Sequence, residues 1–235
     1  MDEEDFTKAR SMVFPRNVLV GHGVLQQIPE VCKGFDLSGT ALIVTGQTTR
    51  NVAADIVTTC LKNEGYDIHI KIVGEASSDN LLAVEETARE VKASFLLGVG
   101  GGSKIDLAKM AAKDLGVEFI SVPTSASHDG IASGRASIKN KTGPLSLDAK
   151  VPLGVVADTS IIVQAPYRLL AAGCADVISN STALKDWEYA RRLRNEEFSR
   201  SAYALAQYTA ETLIENADLI KPGLEESVWV AIRPI

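Results

Sequence analysis

Three short stretches hold the residues whose types and spacing can do chemistry. The first is Phe95-Leu-Leu-Gly-Val-Gly-Gly-Gly-Ser-Lys-Ile-Asp-Leu-Ala-Lys109, an apolar run that passes through consecutive glycines straight into a helical pattern. Lacking Cβ atoms, Gly100, Gly101 and Gly102 let the backbone turn sharply and approach a ligand closely. The amides from Ser103 to Asp106 then open a helix, and the start of a helix favours an anion such as a pyrophosphate. A strand-to-helix turn without a ligand would need fewer glycines, so phosphate binding is the preferred reading. The Rossmann fingerprint is absent, because Ser103 stands where the last glycine of GxGxxG would fall. A Walker loop is absent too, since it wants GxxxxGK followed by Ser or Thr. Asp106 fits two compatible roles, partner of the positive helix start and ligand contact.

The second stretch is Val122-Pro-Thr-Ser-Ala-Ser-His-Asp-Gly-Ile-Ala-Ser133. A hydroxyl-rich loop at the carboxyl end of a parallel strand lies where open α/β sheets bind ligands. Thr124, Ser125 and Ser127 can donate to ribose or phosphate oxygens, and Asp129 can accept from a substrate hydroxyl. A solvated loop that caps the next helix accounts for the same residues equally well. His128 alone reads as a structural hydrogen-bonding residue. In the third stretch, Ala171-Ala-Gly-Cys-Ala-Asp-Val-Ile-Ser179, Asp176 is a lone acid in a small, apolar helical pattern. A buried, unpaired carboxylate is costly, so Asp176 requires a cation, a metal or hydrogen-bond donors, and bonding to backbone serves equally. His22 and His69, in or beside strand-like runs, read as structural. Arg50, in Gly46-Gln-Thr-Thr-Arg50, can accommodate a 2′-phosphate or open a solvated helix, so NADH and NADPH are both permitted.

The elements that must position these residues follow from periodicity. Short apolar runs at Ala41–Val44, Ile68–Val73, Phe95–Val99, Phe119–Val122 and Gly154–Ala157 predict buried parallel strands. Helices are predicted over Thr48–Glu64, Asn80–Lys92 and Lys104–Leu115, with Gly65 and Gly116 as stop signals. This alternation indicates βαβ units, an α/β Rossmann-like domain over residues 1–165 with an open parallel sheet. Ala136–Pro144 breaks the rhythm and predicts a hairpin standing off that sheet. From residue 166 to 235 the strand signal disappears, and Leu193, Phe198, Ala202, Leu205, Leu213 and Ile214 recur at helical spacing. That is the opening of an all-helical domain, small by the usual range.

Composition sets outer bounds. The 235 residues are 46% hydrophobic and 23% charged, enough for a sizeable core and too apolar for wholesale disorder. Lys plus Arg is 24 against 30 for Asp plus Glu, a net charge of −6. That excess argues against nucleic acid or an anionic bilayer as the main partner. No apolar run reaches the roughly 20 residues of a membrane span. The acidic opening Met1-Asp-Glu-Glu-Asp-Phe6 is unlike a secretory signal. Cys32, Cys60 and Cys174 are far apart and form no CxxC, as buried thiols of a reducing cytosol would be. A cytoplasmic protein is expected.

Taken together, the three stretches resemble the sn-glycerol-1-phosphate dehydrogenase family. It lies within the superfamily of iron/zinc alcohol dehydrogenases, glycerol dehydrogenases and dehydroquinate synthase. Gly-Gly-Gly-Ser-Lys-Ile-Asp106 is common to the superfamily, whereas Pro123-Thr-Ser-Ala-Ser-His-Asp-Gly-Ile-Ala-Ser-Gly-Arg-Ala-Ser-Ile138 is much more specific. Pro152–Thr159 and Ala171–Asp176 are similar as well, and the resemblance runs from Phe14 to about Ile232. It implies that Gly102, Ser103, Lys104, Ile105 and Asp106, with Thr124, Ser125, Ala126, Ser127 and Ser133, contact NAD(H) or NADP(H). It implies that Asp129 and Asp176 bind substrate, with Asp176 also ligating a catalytic Zn²⁺. The implied reaction is reduction of a phosphorylated triose, dihydroxyacetone phosphate, to sn-glycerol 1-phosphate, the backbone of archaeal membrane lipids. The zinc would polarise the carbonyl that receives the hydride.

The sequence departs from this pattern in one respect. The family supplies two further zinc-ligating histidines and a substrate-binding histidine from a segment beyond residue 235, and no histidine follows His128. A catalytic zinc needs about three protein ligands. The terminal Arg233-Pro-Ile235 also reads unlike the family's continuing helix, so a truncated or frame-shifted product is expected. Two other readings stay open: a catalytically impaired nucleotide-binding fragment, and a dehydroquinate synthase-like lyase on the same scaffold. An unfinished helical lobe would expose apolar surface and favour a homo-oligomer.

Overall fold

A computed structural model describes residues 12–140 and 143–232. Six parallel strands form one sheet: β1 (Asn17–Gly21), β2 (Thr40–Thr45), β3 (Asp67–Ile72), β4 (Phe95–Gly100), β5 (Glu118–Pro123) and β8 (Gly154–Asp158). The intervening β6 (Arg135–Asn140) and β7 (Gly143–Asp148) pair antiparallel as a separate hairpin. Strand order across the sheet is β1-β8-β5-β4-β2-β3. Every residue of β4 is buried, as expected of a central parallel strand covered on both faces.

Alternation of side chains assigns the two faces. Ala41 and Ile43 of β2 join the cluster formed with α1 (Ile28–Gly34) and α2 (Asp55–Asn63). Leu42 and Val44 join the opposite cluster with α3 (Ser78–Glu90) and α4 (Gly102–Leu115). The helix that follows β2 therefore covers one face, and the helix that follows the adjacent β4 covers the other. Such a switch point opens a crevice at the carboxyl ends of the two strands, where α/β sheets bind ligands.

Four differences from the sequence reading have physical causes. β1 was not among the predicted strands; it is a half-exposed edge strand with little apolar signal, held by register pairing of Asn17–Gly21 with Gly154–Asp158. The helix predicted over Thr48–Glu64 is interrupted, because a π-helical stretch, Arg50–Ala54, precedes α2. The hairpin does not stand clear of the core: Ala136 and Ile138 are buried against α4, and Lys139 donates its amide to the Ala76 carbonyl at 2.7 Å. Finally, of the helically spaced apolar residues Leu213 is buried, whereas Leu193 is 80% exposed and Leu205 and Ile214 about half exposed.

Beyond Pro166 the chain is helical, with α5 (Tyr167–Arg194), α6 (Arg200–Glu215) and α7 (Glu225–Ile232). Asn195 turns α5 off in the left-handed conformation at φ 51°, and Trp187 Nε1 donates to the Glu197 carbonyl at 2.8 Å to fix the corner. Leu170, Val177, Leu213, Val228 and Ile232 pack on Ala126, Ala157 and Ile162 at the end of the sheet. Among the described residues no helix is long and apolar enough to cross a membrane. The acidic opening, residues 141–142 and Arg233-Pro-Ile235 lie outside the described residues.

Candidate functional site

Register places the three chemical stretches side by side. Gly100, the last residue of β4, lies opposite Pro123 of β5, and the Thr124 amide donates to the Gly100 carbonyl at 3.0 Å. Gly101 is the extended N-cap of α4, and no side chain caps it. The amides of Lys104 and Ile105 donate back to the Gly101 carbonyl at 2.9 and 3.4 Å. An anion site here is therefore built from the amides ahead of them, those of Gly102 and Ser103, and not from the longer run expected. Part of the need for glycine is internal. A Cβ on Gly101 would lie 3.2 Å from Ser125 Oγ, and one on Gly102 would run into the His128 ring, 2.7 Å from Cδ2.

Thr124, Ser125 and Ala126 are buried in the loop above this turn, while Ser127 and Ser133 are half-buried. His128 Nδ1 accepts the Gly130 amide at 2.8 Å, so the ring proton belongs on Nε2. That Nε2 is buried without a hydrogen-bond partner among the described residues. Burial also holds the imidazole below its usual titration range, so it stays neutral. An unsatisfied buried donor costs about 1–3 kcal/mol. A neutral N–H over Gly102, beside two uncapped amides, fits an incoming phosphate oxygen and so fits a nicotinamide dinucleotide.

Asp129 and Asp176 meet across the loop and α5. The Asp129 amide donates to Asp176 Oδ2 at 3.0 Å, and Asn180 Nδ2 lies 3.4 Å from Asp129 Oδ2. Their approach depends on Gly173, where a Cβ would collide with the Ala126 carbonyl, 2.9 Å from its carbon. Gly173, Asp176 and Asn180 share one helical face through their 3- and 4-residue spacing. Although Asp129 reaches the surface, desolvation of its carboxyl and then the Asp176 charge raise its pKa. Asp176 thus bonds backbone, as one of the sequence readings allowed. Among the described residues no group of three His, Cys, Asp or Glu could hold a metal, so these residues alone do not fit a zinc site.

The remaining candidates separate into two groups. Lys104 Nζ reaches across the strand ends to the Gly74 carbonyl at 2.9 Å. Ser133 Oγ stays within its own loop, 3.4 Å from the Gly130 carbonyl. Ile105 turns into the core, fully buried. Asp106 points away from the glycine turn: Oδ2 accepts the Ser137 amide at 3.1 Å, and Oδ1 lies 3.5 Å from Lys109 Nζ. The structure does not bring the side chains of Ile105 and Asp106 to the turn.

Lys109 is the residue that sequence reasoning missed. Its side chain is fully buried, and Nζ donates to the Gly130 carbonyl at 2.6 Å and the Arg135 carbonyl at 2.8 Å. Burial lowers its pKa and Asp106 opposes that fall. Together Asp106 and Lys109 clamp the loop and the hairpin onto α4. A lysine inside the apolar run Leu107–Ala112 was the available signal. His22, bonded through Nδ1 to Glu225 at 3.0 Å, and His69, 3.4 Å from Asp67, are exposed and structural. All three cysteines are free, and burial pushes Cys32 up to about 12.

Comparison with known proteins places this geometry. The family profile described as iron-containing alcohol dehydrogenase matches residues 19–166. The chain is 49% identical over 230 residues to glycerol-1-phosphate dehydrogenase, NAD(P)+, of Haloarcula marismortui, covering 98% of this chain and 65% of that protein. It is 51% identical over 227 residues to the protein of that name from Methanosarcina acetivorans, covering 97% and 64%. The chain thus spans about 65% of the length of the curated relatives it matches. In fold it is similar to glycerol dehydrogenase from Schizosaccharomyces pombe, with TM-score 0.83 at 23% identity, covering 97% of this chain and 60% of that one. It is likewise similar to sulfoacetaldehyde reductase from Bifidobacterium kashiwanohense in complex with NAD+, with TM-score 0.74 at 15% identity, covering 97% and 65%. The profile match covers more than half of the sequence, and the chain belongs to the iron-containing alcohol dehydrogenase family.

Proposed function

We propose that this chain carries the dinucleotide site and part of the substrate site of a cytoplasmic glycerol-1-phosphate dehydrogenase. The reaction would reduce dihydroxyacetone phosphate to sn-glycerol 1-phosphate with NADH or NADPH. The relatives' names at about half identity support the substrate. The observation that carries the cofactor is the orphaned His128 Nε2 over Gly102, next to the uncapped start of α4.

In this reading the amides of Gly102 and Ser103 and the His128 N–H bind the pyrophosphate, and the hydroxyls of Thr124, Ser125 and Ser127 orient the ribose. Asp129 and Asp176 take hydrogen bonds from the substrate hydroxyls, and the cofactor supplies the hydride. Lys109 and Asp106 hold the loop in place from behind. A Zn²⁺ would take Asp176 as its ligand from this chain, and the described residues do not complete a site for it. We also assign residues 1–165 to the nucleotide domain and 166–235 to the metal- and substrate-binding helical domain, with self-association through the helical part.

Calorimetric titration with NADH and NADPH tests the reading, followed by NAD(P)H oxidation with dihydroxyacetone phosphate. Binding heat with at least one nucleotide is expected, with an affinity about tenfold weaker in Gly102→Ala. Absence of heat with both would overturn the assignment.

A further inference from the structure

Resting on the substrate reading above, we propose that Asn180 is a positioning residue, which holds the Asp129 carboxylate in the orientation that receives a hydroxyl of the phosphorylated triose. Helix α5 meets Asp129 with two side chains of opposite hydrogen-bonding character. Asp176 accepts, taking the Asp129 amide at 3.0 Å, and Asn180 donates, with Nδ2 3.4 Å from Asp129 Oδ2. The two lie four residues apart, so they stand one above the other on α5, with Cβ atoms about 5–6 Å apart. One loop residue is thus gripped at its main chain and at the end of its side chain. Holding Oδ2 fixes where Oδ1 points.

The like charge of Asp176 makes this grip necessary. Two carboxylates that meet repel, so an Asp129 side chain held only through its own backbone would swing away from Asp176. In the reading above both acids take hydroxyls of one small substrate, which requires them side by side. An amide N–H supplies attraction without adding a charge. A contact of 3.4 Å is long for such a bond, and bonds of this kind commonly tighten once the substrate is in place.

The local sequence marks Asn180 out from its neighbours. Ser179-Asn-Ser-Thr182 is a run of weak helix formers in the middle of a 28-residue helix. Ser179 and Thr182 turn their hydroxyls back on α5, to the carbonyls of Asp176 at 2.7 Å and Ser179 at 2.8 Å. Asn180 instead reaches out to another element. It is half-buried, whereas Asp129 and Asp176 are exposed. Asn180 therefore stands behind the two acids and supports them, as the groups around a rigid site must.

The test is calorimetric titration of dihydroxyacetone phosphate into the whole chain saturated with oxidised nucleotide, a pair that cannot react. Asn180→Ala should bind dihydroxyacetone phosphate about threefold to tenfold more weakly, the worth of one long bond to a charged acceptor. Its nucleotide affinity should match the wild type, and alanine, the better helix former, keeps α5 folded. Asn180→Asp, which replaces the donor by a third carboxylate, should lose more than about tenfold. Asn180→Gln, which keeps the amide, should recover part of the loss. In an Asp129→Asn background Asn180→Ala should cost less than about twofold, because it acts through the carboxylate. Wild-type affinity in Asn180→Ala would overturn the proposal. So would a full loss that persists in the Asp129→Asn background, which would make Asn180 a substrate contact. An equal fall in nucleotide affinity would overturn it as well, by showing that α5 as a whole had moved. Nucleotide binding by a wild-type chain that takes up no dihydroxyacetone phosphate would overturn it and leave the nucleotide site standing. Failure of every nucleotide to bind would remove both readings.

Discussion

Helices α4 and α5 both bring charged side chains to the candidate site, yet they are fixed by different means. Of the 14 residues of α4, the run from Ile105 to Ala112 is buried, including both Asp106 and Lys109. The sheet covers one side of it and α3 with the hairpin the other, so its charged groups must satisfy each other and the backbone. The much longer α5, at 28 residues, buries only Leu170, Gly173, Val177 and Leu184. Its backbone meets the loop closely where Gly173 lies on Ala126, and among the described residues only Asp176 and Asn180 add side-chain bonds there, both to Asp129. Position on α4 is therefore over-determined, whereas on α5 it hangs on a missing side chain.

Lys109→Met should show the strongest effect of all. It leaves the Gly130 and Arg135 carbonyls and the Asp106 carboxylate without their buried donor. Breaking such a buried charge network costs about 3–5 kcal/mol, read as a lower denaturation midpoint. A loss below about 1 kcal/mol would show that α4 does not depend on the clamp.

Gly173→Ala comes next. Overpacking against the Ala126 carbonyl costs about 1–3 kcal/mol, offset in part by the better helix propensity of alanine, up to about 1 kcal/mol. Thermal unfolding gives the net cost, and faster amide exchange at Asp129 should accompany it. Unchanged exchange there would mean that α5 had not moved. Gly102→Ala should leave stability nearer to wild type but displace His128, weakening nucleotide binding about tenfold, the worth of one charge-assisted hydrogen bond.

Asp129→Asn has the smallest effect and the opposite sign. Because folding raises the Asp129 pKa, the native state holds that proton more tightly than the unfolded chain does. The stability gained is complete below the ordinary aspartate range and is lost as pH rises through the raised value. The asparagine variant should therefore gain on the wild type as pH rises from the ordinary aspartate range through the raised value, in paired denaturation curves. A gap that narrows with pH would mean that burial and the Asp176 charge do not raise the Asp129 pKa.

What could be read from residue types follows the same division. β2, β4, β5 and β8 announced themselves because strands buried on both faces must be continuously apolar. The glycine turn and the hydroxyl-rich loop were legible because their chemistry is local. β1 was not, since an edge strand needs little apolar surface, and neither was the insertion of Ala136 and Ile138 into the core. Lys109 and Gly173 were hidden for another reason: each is defined by a carbonyl far away in sequence, at Gly130 or Ala126. Helical spacing foretold α6 but not which of its faces would be covered, and Leu205 proved half exposed.

The bond from the Gly130 amide to His128 has a consequence for behaviour in acid. It needs the lone pair on Nδ1, and protonation of the ring abolishes that lone pair. Because burial has already depressed this pKa, the fastening is complete above the ordinary histidine range and slips only as pH falls through the lowered value. Acidification through that lowered value would then unpin the turn at Gly130, and the roof over the crevice would lift before its floor gives way.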